Sequence, residues 1–186
     1  VGSEMCIRDR GERILDKNKI FYKNIFFPDA KLNFAENLIP LTSKEIAVFS
    51  LKENGTEDFI TWEELFSNVC KFSDYLIKTN IKKGDVVAAY VPNTIETIVA
   101  FLGSTKNGCI WSSCSPDFGP QGVIERFKQI EPKVLITCDH YYYNGKKINI
   151  LDNVEIITKS IPSIQKVIVF SYDNTKIYKK YLSYYD

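Results

Sequence analysis

The sequence predicts an α/β fold, a mostly parallel sheet with flanking helices, and three observations predict it. Continuous apolar runs at residues 86–91 (VVAAYV) and 133–138 (KVLITC), with CIWSSC at 109–114 between them, have the length of buried strands. Apolar residues at helical spacing fill the gaps: Ile95, Ile98, Val99 and Leu102, then Val123, Ile124, Phe127 and Ile130. Pro92-Asn93, Asn107-Gly108 and Pro132 mark the joints. A strand–helix–strand–helix–strand order needs crossovers, hence parallel strands with right-handed connections.

The remaining elements follow in chain order. Residues 11–31 show no clean period. Leu32, Ala35, Leu38 and Ile39 suggest a short amphipathic helix ended by Pro40. Residues 46–51 (IAVFSL) read as a buried strand and 58–62 (DFITW) as its hairpin partner across Asn54-Gly55. Thr61, with Glu64 three residues on, completes a capping box. Leu65, Val69, Phe72 and Leu76 line the helix that follows, with Tyr75 and Ile77 widening its face. Either Ser115 or Asp117 caps the helix after CIWSSC. Residues 139–147 read as a loop with an Asn144-Gly145 turn, 148–159 as a helix and 166–172 as a strand.

A chain of 186 residues holds one domain with a real core, and its 45% hydrophobic and 25% charged content is that of a globular protein. A net charge of +1 gives no field that draws nucleic acid or an anionic membrane. No apolar run has the length of a membrane span. The opening VGSEMCIRDR lacks a signal peptide's apolar stretch and resembles translated adapter read-through. Residues 1–10 are therefore set aside as a non-native leader, and 11–186 are taken as one C-terminally truncated domain. Five scattered cysteines without a CxxC pair suit a reducing compartment, the cytoplasm. Cys138-Asp139-His140, which contains the one histidine, lacks the ligand count of a metal site and reads as a buried cysteine beside a loop histidine.

Ligands of open parallel sheets bind beyond the carboxyl ends of the strands. Three loops qualify: Pro92-Asn93, residues 112–119 and residues 140–147. The second enters a helix N-terminus, where Gly119 and Gly122 leave the backbone approachable to an anion. The third sets Lys146 and Lys147 beside three tyrosines, a combination suited to a phosphate-bearing nucleotide-like ligand. Taken singly, the same residues are caps, solvated lysines and half-buried rings. Arg126 is either a surface helix charge or a phosphate contact. There is no GxxxxGK[ST], GxGxxG or GxSxG, and no complete catalytic set.

Several segments, in this order and spacing, resemble acetoacetate–CoA ligases of the adenylate-forming superfamily: FFPDAKLNFAENLI, FITWEEL, KKGDVVAAYVPN, GCIWSSCSPDFGPQGVIERFKQIEPKVLI and YYYNGKK. WSSCSPDFG followed by RFKQIEPK is the most specific part. The resemblance runs from about Phe26 to Tyr172 and implies the N-terminal subdomain portion of an adenylate-forming enzyme's large domain. It implies ATP, Mg²⁺, acetoacetate and coenzyme A as the ligands of the whole enzyme. It also implies that a Ser/Thr/Gly-rich loop ending in Lys, the adenine and ribose motifs and a small C-terminal domain belong to a missing part of the chain, so this portion alone is inactive and carries no catalytic residue. By alignment with acetyl-CoA synthetases, Asp117, Phe118 and Gly119, with Tyr143, Asn144, Gly145 and Lys146, are the coenzyme A-side candidates; Arg126 joins them on its own position, as a phosphate contact. Tyr143 stands where those relatives carry an Arg, and Lys146 replaces another, a point charge in place of a fork. Three other readings remain open: a ligase for another short acyl acid, a non-catalytic module that binds a nucleotide or coenzyme A, and a purely structural, truncated gene product.

Overall fold

The computed structural model describes residues 11–39, 43–173 and 182–183. The leader and Pro40 lie outside them. The segment without a period forms a two-residue antiparallel pair, β1 (Leu15–Asp16) with β2 (Ile25–Phe26), pinned by the Arg13 guanidinium 2.6 Å from Asp29.

The predicted helix is shorter than its apolar spacing suggested. α1 (Phe34–Leu38) starts after Asn33, whose side chain accepts from the Ala35 and Glu36 amides. Asn33 also donates to the carbonyls of Thr105 and Lys106, so this cap doubles as a tertiary tie. Leu32 is left outside the helix and exposed, and within it only Ala35 is buried.

β3 (Ile46–Leu51) and β4 (Glu57–Thr61) form the expected hairpin. The Gly55 amide donates to Lys52 O, and Gly55 takes a φ of +80°, the glycine bulge that closes a hairpin turn. β3 is not buried as expected. Ala47 and Val48 pack on the core while Ile46, Phe49 and Leu51 face outward, because a two-stranded ribbon has one face with nothing over it.

α2 (Trp62–Lys78) carries the capping box: Glu64 N–H donates to Thr61 Oγ1 and Thr61 N–H donates to Glu64 Oε2. Leu65, Val69, Phe72 and Leu76 are buried as their spacing requires; Tyr75 is half-buried and Ile77 is exposed. β5 (Val86–Tyr90) then leads to α3 (Ile95–Lys106), capped by Thr94 and ended at Gly108 with a φ of +72°. β6 (Ile110–Cys114) precedes α4 (Pro120–Phe127), which leads to β7 (Val134–Cys138), buried at every position.

Residues 139–147 are not an open loop. β8 (His140–Tyr143) and β9 (Lys146–Asn149) pair antiparallel across Asn144 (φ +50°) and Gly145 (φ +69°), the two-residue turn whose twist matches a hairpin. α5 (Leu151–Ser160), β10 (Lys166–Phe170) and β11 (Leu182–Ser183) follow.

The five-stranded sheet runs β11-β10-β7-β5-β6, parallel at every pairing. Helices α2 and α3 pack together, as do α4 and α5. With right-handed crossovers, that order puts the two pairs on opposite faces. The chain leaves β5 outward to β6 and then returns to β7 on the other side. The strand order therefore reverses at β5 and β7, where an open α/β sheet forms its ligand crevice.

Candidate functional site

Tyr90 ends β5 at this reversal, with no exposed surface. Its hydroxyl reaches past the sheet, and its one O–H is shared between the carbonyls of Pro116 (2.8 Å) and Phe118 (2.7 Å). Burial pushes the phenol pKa up, so it stays a neutral donor, and Asn153 of α5 donates to it at 3.5 Å. The turn after β6 is thus held to β5 and α5 through one side chain.

That turn corrects the expected cap. Neither Ser115 nor Asp117 caps α4: the N-cap is Gly119, with Pro120 at the first helical position. Ser115 Oγ instead donates to Asp117 Oδ2 at 2.8 Å, and the Phe118 amide closes a turn onto Ser115 O. Two residues of turn therefore separate the capping side chains from the helix. A Cβ added at Gly119 meets nothing within 4 Å, so this glycine leaves open space beside the backbone. The Arg126 guanidinium stands 4.4 Å from the centroid of the Phe118 ring. Asp117, Phe118, Gly119 and Arg126 thus share one corner beyond β6. A small cleft of about 140 Å³, lined by Pro92, Asn93, Ser113 and Ser115 among others, opens at the same strand ends.

Tyr143, Asn144, Gly145 and Lys146 form the tip of the β8–β9 hairpin. The Gly145 amide donates to Glu53 Oε1 in the β3–β4 turn, and Tyr143 and Lys146 are exposed. The two candidate groups meet at the hairpin root and not at its tip. There Tyr141, with its hydroxyl pKa pushed up to about 12 by burial first and the Asp117 carboxylate second, faces the turn.

The expected loop histidine is buried. Asp139 Oδ1 accepts the amides of His140 and Tyr172, both at 2.9 Å, and lies 2.7 Å from His140 Nδ1. Lys52, also buried, donates to Tyr172 O at 3.1 Å. Of the described cysteines, Cys109, Cys114 and Cys138 are buried and Cys70 is half-buried, all unbridged; burial, with the Asp139 charge second, drives the Cys138 thiol pKa up. Cys6 lies outside the described residues. Among the described residues no group of three or more His, Cys, Asp or Glu side chains converges on a metal position, and no helix is long and apolar enough to cross a membrane.

Reading the residues alone missed Tyr90 and Lys52, and gave Tyr141 only as one of three tyrosines beside the lysines. A tyrosine closing an apolar strand looks the same in sequence whether its hydroxyl ends in the core or in the next loop. Only the 26- and 28-residue separations to its acceptors reveal the role.

Comparison with known proteins gives a consistent answer. A family profile described as AMP-binding enzyme matches residues 41–183. The chain is 41% identical to the acetoacetyl-coenzyme A synthetase of Rhizobium meliloti over 90% of its own length and 25% of that protein's. It is 38% identical to the acetoacetyl-CoA synthetase of Xenopus tropicalis over 87% of its length and 24% of the relative's. The solved acetoacetyl-CoA synthetase from Streptomyces lividans superposes with a TM-score of 0.85 at 32% identity, covering 93% of this chain and 27% of that one. The chain spans about a quarter of the length of these relatives. Its doubly wound sheet, and the match over residues 41–183, make it a member of the AMP-binding enzyme family.

Proposed function

We propose that this chain is the N-terminal portion of an ATP-dependent acid–thiol ligase that forms acetoacetyl-CoA in the cytoplasm. One observation carries the reading: over 93% of its length the chain takes the fold of a solved acetoacetyl-CoA synthetase. In the proposed reaction the acetoacetate carboxylate attacks the α-phosphorus of ATP, held with Mg²⁺, and pyrophosphate leaves. The coenzyme A thiol then attacks the acyl-adenylate carbonyl and AMP leaves. Such a path is limited by positioning and by neutralisation of phosphate charge.

This portion supplies the coenzyme A side. Lys146 brings an ammonium at the exposed hairpin tip to a phosphate, and Tyr143 flanks it. Asn144 and Gly145 set the tip's turn. Asp117, Phe118 and Gly119 border the channel with open space at Gly119, and Arg126 braces the Phe118 ring. Exposed cations beside ring faces and an uncrowded backbone fit a ligand that is part phosphate and part neutral chain.

The test is a full-length enzyme carrying this sequence, which releases pyrophosphate only when acetoacetate is present. In it Lys146→Ala raises the KM for coenzyme A roughly tenfold, the loss of one charge-assisted contact. The KM for ATP and the rate of the first half-reaction stay unchanged. An unchanged KM for coenzyme A removes Lys146 from the site, and pyrophosphate release without acetoacetate removes the substrate assignment. On the same reading, an assay of the 186-residue chain alone should find no pyrophosphate release.

A further inference from the structure

The β8–β9 hairpin has four residues in each strand, and a two-stranded ribbon of that size is marginal by itself in water. Behind the tip, His140 Nε2 and Lys147 Nζ meet Asp173 Oδ2 at 3.0 and 3.1 Å. The tip itself, Tyr143, Asn144, Gly145 and Lys146, is exposed throughout. Among the described residues it makes one hydrogen bond to another element: the Gly145 N–H donates to Glu53 Oε1 at 3.0 Å, across 92 residues of sequence. Glu53 turns outward from the β3–β4 turn, and its neighbour Lys52, only 8% exposed, turns inward. The Lys52 ammonium donates to Tyr172 O at 3.1 Å and stands 5.1 Å from the centroid of the same residue's ring. A buried ammonium is costly unless it is hydrogen-bonded, so this side chain is committed to Tyr172. The Tyr172 ring in turn packs on β8, 5.4 Å from the His140 ring and 5.7 Å from the Tyr142 ring.

We propose that the β3–β4 turn is a bracket for the β8–β9 hairpin, with Glu53 and Lys52 as positioning residues for its tip. Glu53 holds the tip directly, and Lys52 holds the root through Tyr172. Two adjacent residues thereby fix two points along one hairpin and set the direction in which its tip projects. The turn is internally braced for this. Lys52 N–H donates to Thr56 O and the Gly55 amide donates to Lys52 O, both at 2.9 Å, while Thr56 N–H donates to Asn54 Oδ1 at 3.0 Å. The far end of β4, Thr61, is the cap of α2, so the bracket is continuous with the helical layer. Its consequence for a ligand rests on the coenzyme A reading above: Lys146 meets a phosphate well only if the tip is held in one place. The bracket rests on the bonds alone.

The test uses the full-length enzyme carrying this sequence and reads two quantities in each variant, hydrogen–deuterium exchange along the hairpin and the kinetic constants for coenzyme A. Glu53→Ala is the decisive variant, because the side chain is exposed and its loss leaves the core intact. It should speed exchange over residues 143–147 and raise the KM for coenzyme A roughly threefold to tenfold, the loss of one hydrogen bond, with kcat unchanged. Glu53→Gln still offers an oxygen to the Gly145 amide and should return both quantities close to their starting values. Lys52→Met keeps the buried stem, removes the donor and should speed exchange over residues 140–143; an unchanged rate there takes Lys52 out of the bracket. Unchanged exchange in Glu53→Ala, or no recovery in Glu53→Gln, overturns the bracket. A lower KM for coenzyme A in Glu53→Ala also overturns it, since the carboxylate would then compete with the phosphate for the Gly145 amide. Faster exchange that glutamine restores, with the KM for coenzyme A unchanged throughout, leaves the bracket standing and removes the coenzyme A reading of the tip.

Discussion

Tyr90 is the residue on which the turn after β6 depends. Its one O–H is shared between two loop carbonyls and the residue is wholly buried, so removing the hydroxyl takes away the donor both of them use. Tyr90→Phe keeps the ring's packing and should cost about 1–3 kcal/mol in stability, the penalty of unsatisfied buried acceptors. Amide exchange should rise at residues 117–119 and stay unchanged at β7. Uniformly faster exchange would instead make Tyr90 a plain core residue. Residue types were legible in the sequence at this scale, but directions were not. Ser115 and Asp117 carry cap chemistry, yet they spend it on each other because Pro120 delays the helix. His140 was read as a loop residue because no periodicity shows that its ring is buried and meets Asp173, 33 residues further on.

Among the elements, the close packing of α2 against α3 has a single-residue cause. A Cβ at Gly103 would stand 2.8 Å from Phe72 Cδ1 and 3.1 Å from Val69 O, so the two helices approach as closely as they do because α3 carries a glycine there. Gly103→Ala should therefore destabilise by about 1–3 kcal/mol through overpacking, despite alanine's better helix propensity. Thermal unfolding of the variant checks this. A gain in stability would mean that Phe72 swings clear at no cost. The central elements were readable because their signals are local and redundant. α2 has both a capping box and a four-residue stripe, and β5 and β7 are apolar throughout. The β8–β9 hairpin was missed although its Asn-Gly turn was recognised. Its strands, HYYY and KKIN, are too short and too polar to alternate. The burial of β3 was overestimated because its apolar residues lie on both faces of a ribbon covered on one.

For the whole molecule, the sheet order was only partly legible. Crossover helices predicted parallel strands, but nothing in a single sequence says that β7 returns to the far side of β5. Open sheets of this kind bind ligands at such a reversal, and here it brings the Tyr90-held turn near the hairpin root. The outer surface is also unusual for a chain of this size. Phe21, Tyr22, Phe26, Leu32, Phe49, Leu51 and Phe59 are all more than half exposed. Such apolar surface fits a chain that spans about a quarter of its relatives' length.

The central claim is that this chain belongs to a larger acetoacetate–CoA ligase and forms its coenzyme A-side subdomain. Sequencing the source DNA across both ends of the reading frame tests it most directly. The account predicts that the reading frame continues past Asp186 into a Ser/Thr/Gly-rich loop ending in Lys, as the relatives' greater length implies. A stop codon directly after Asp186 in clean sequence would contradict it, and would leave a ligand-binding module as the better description of the same fold.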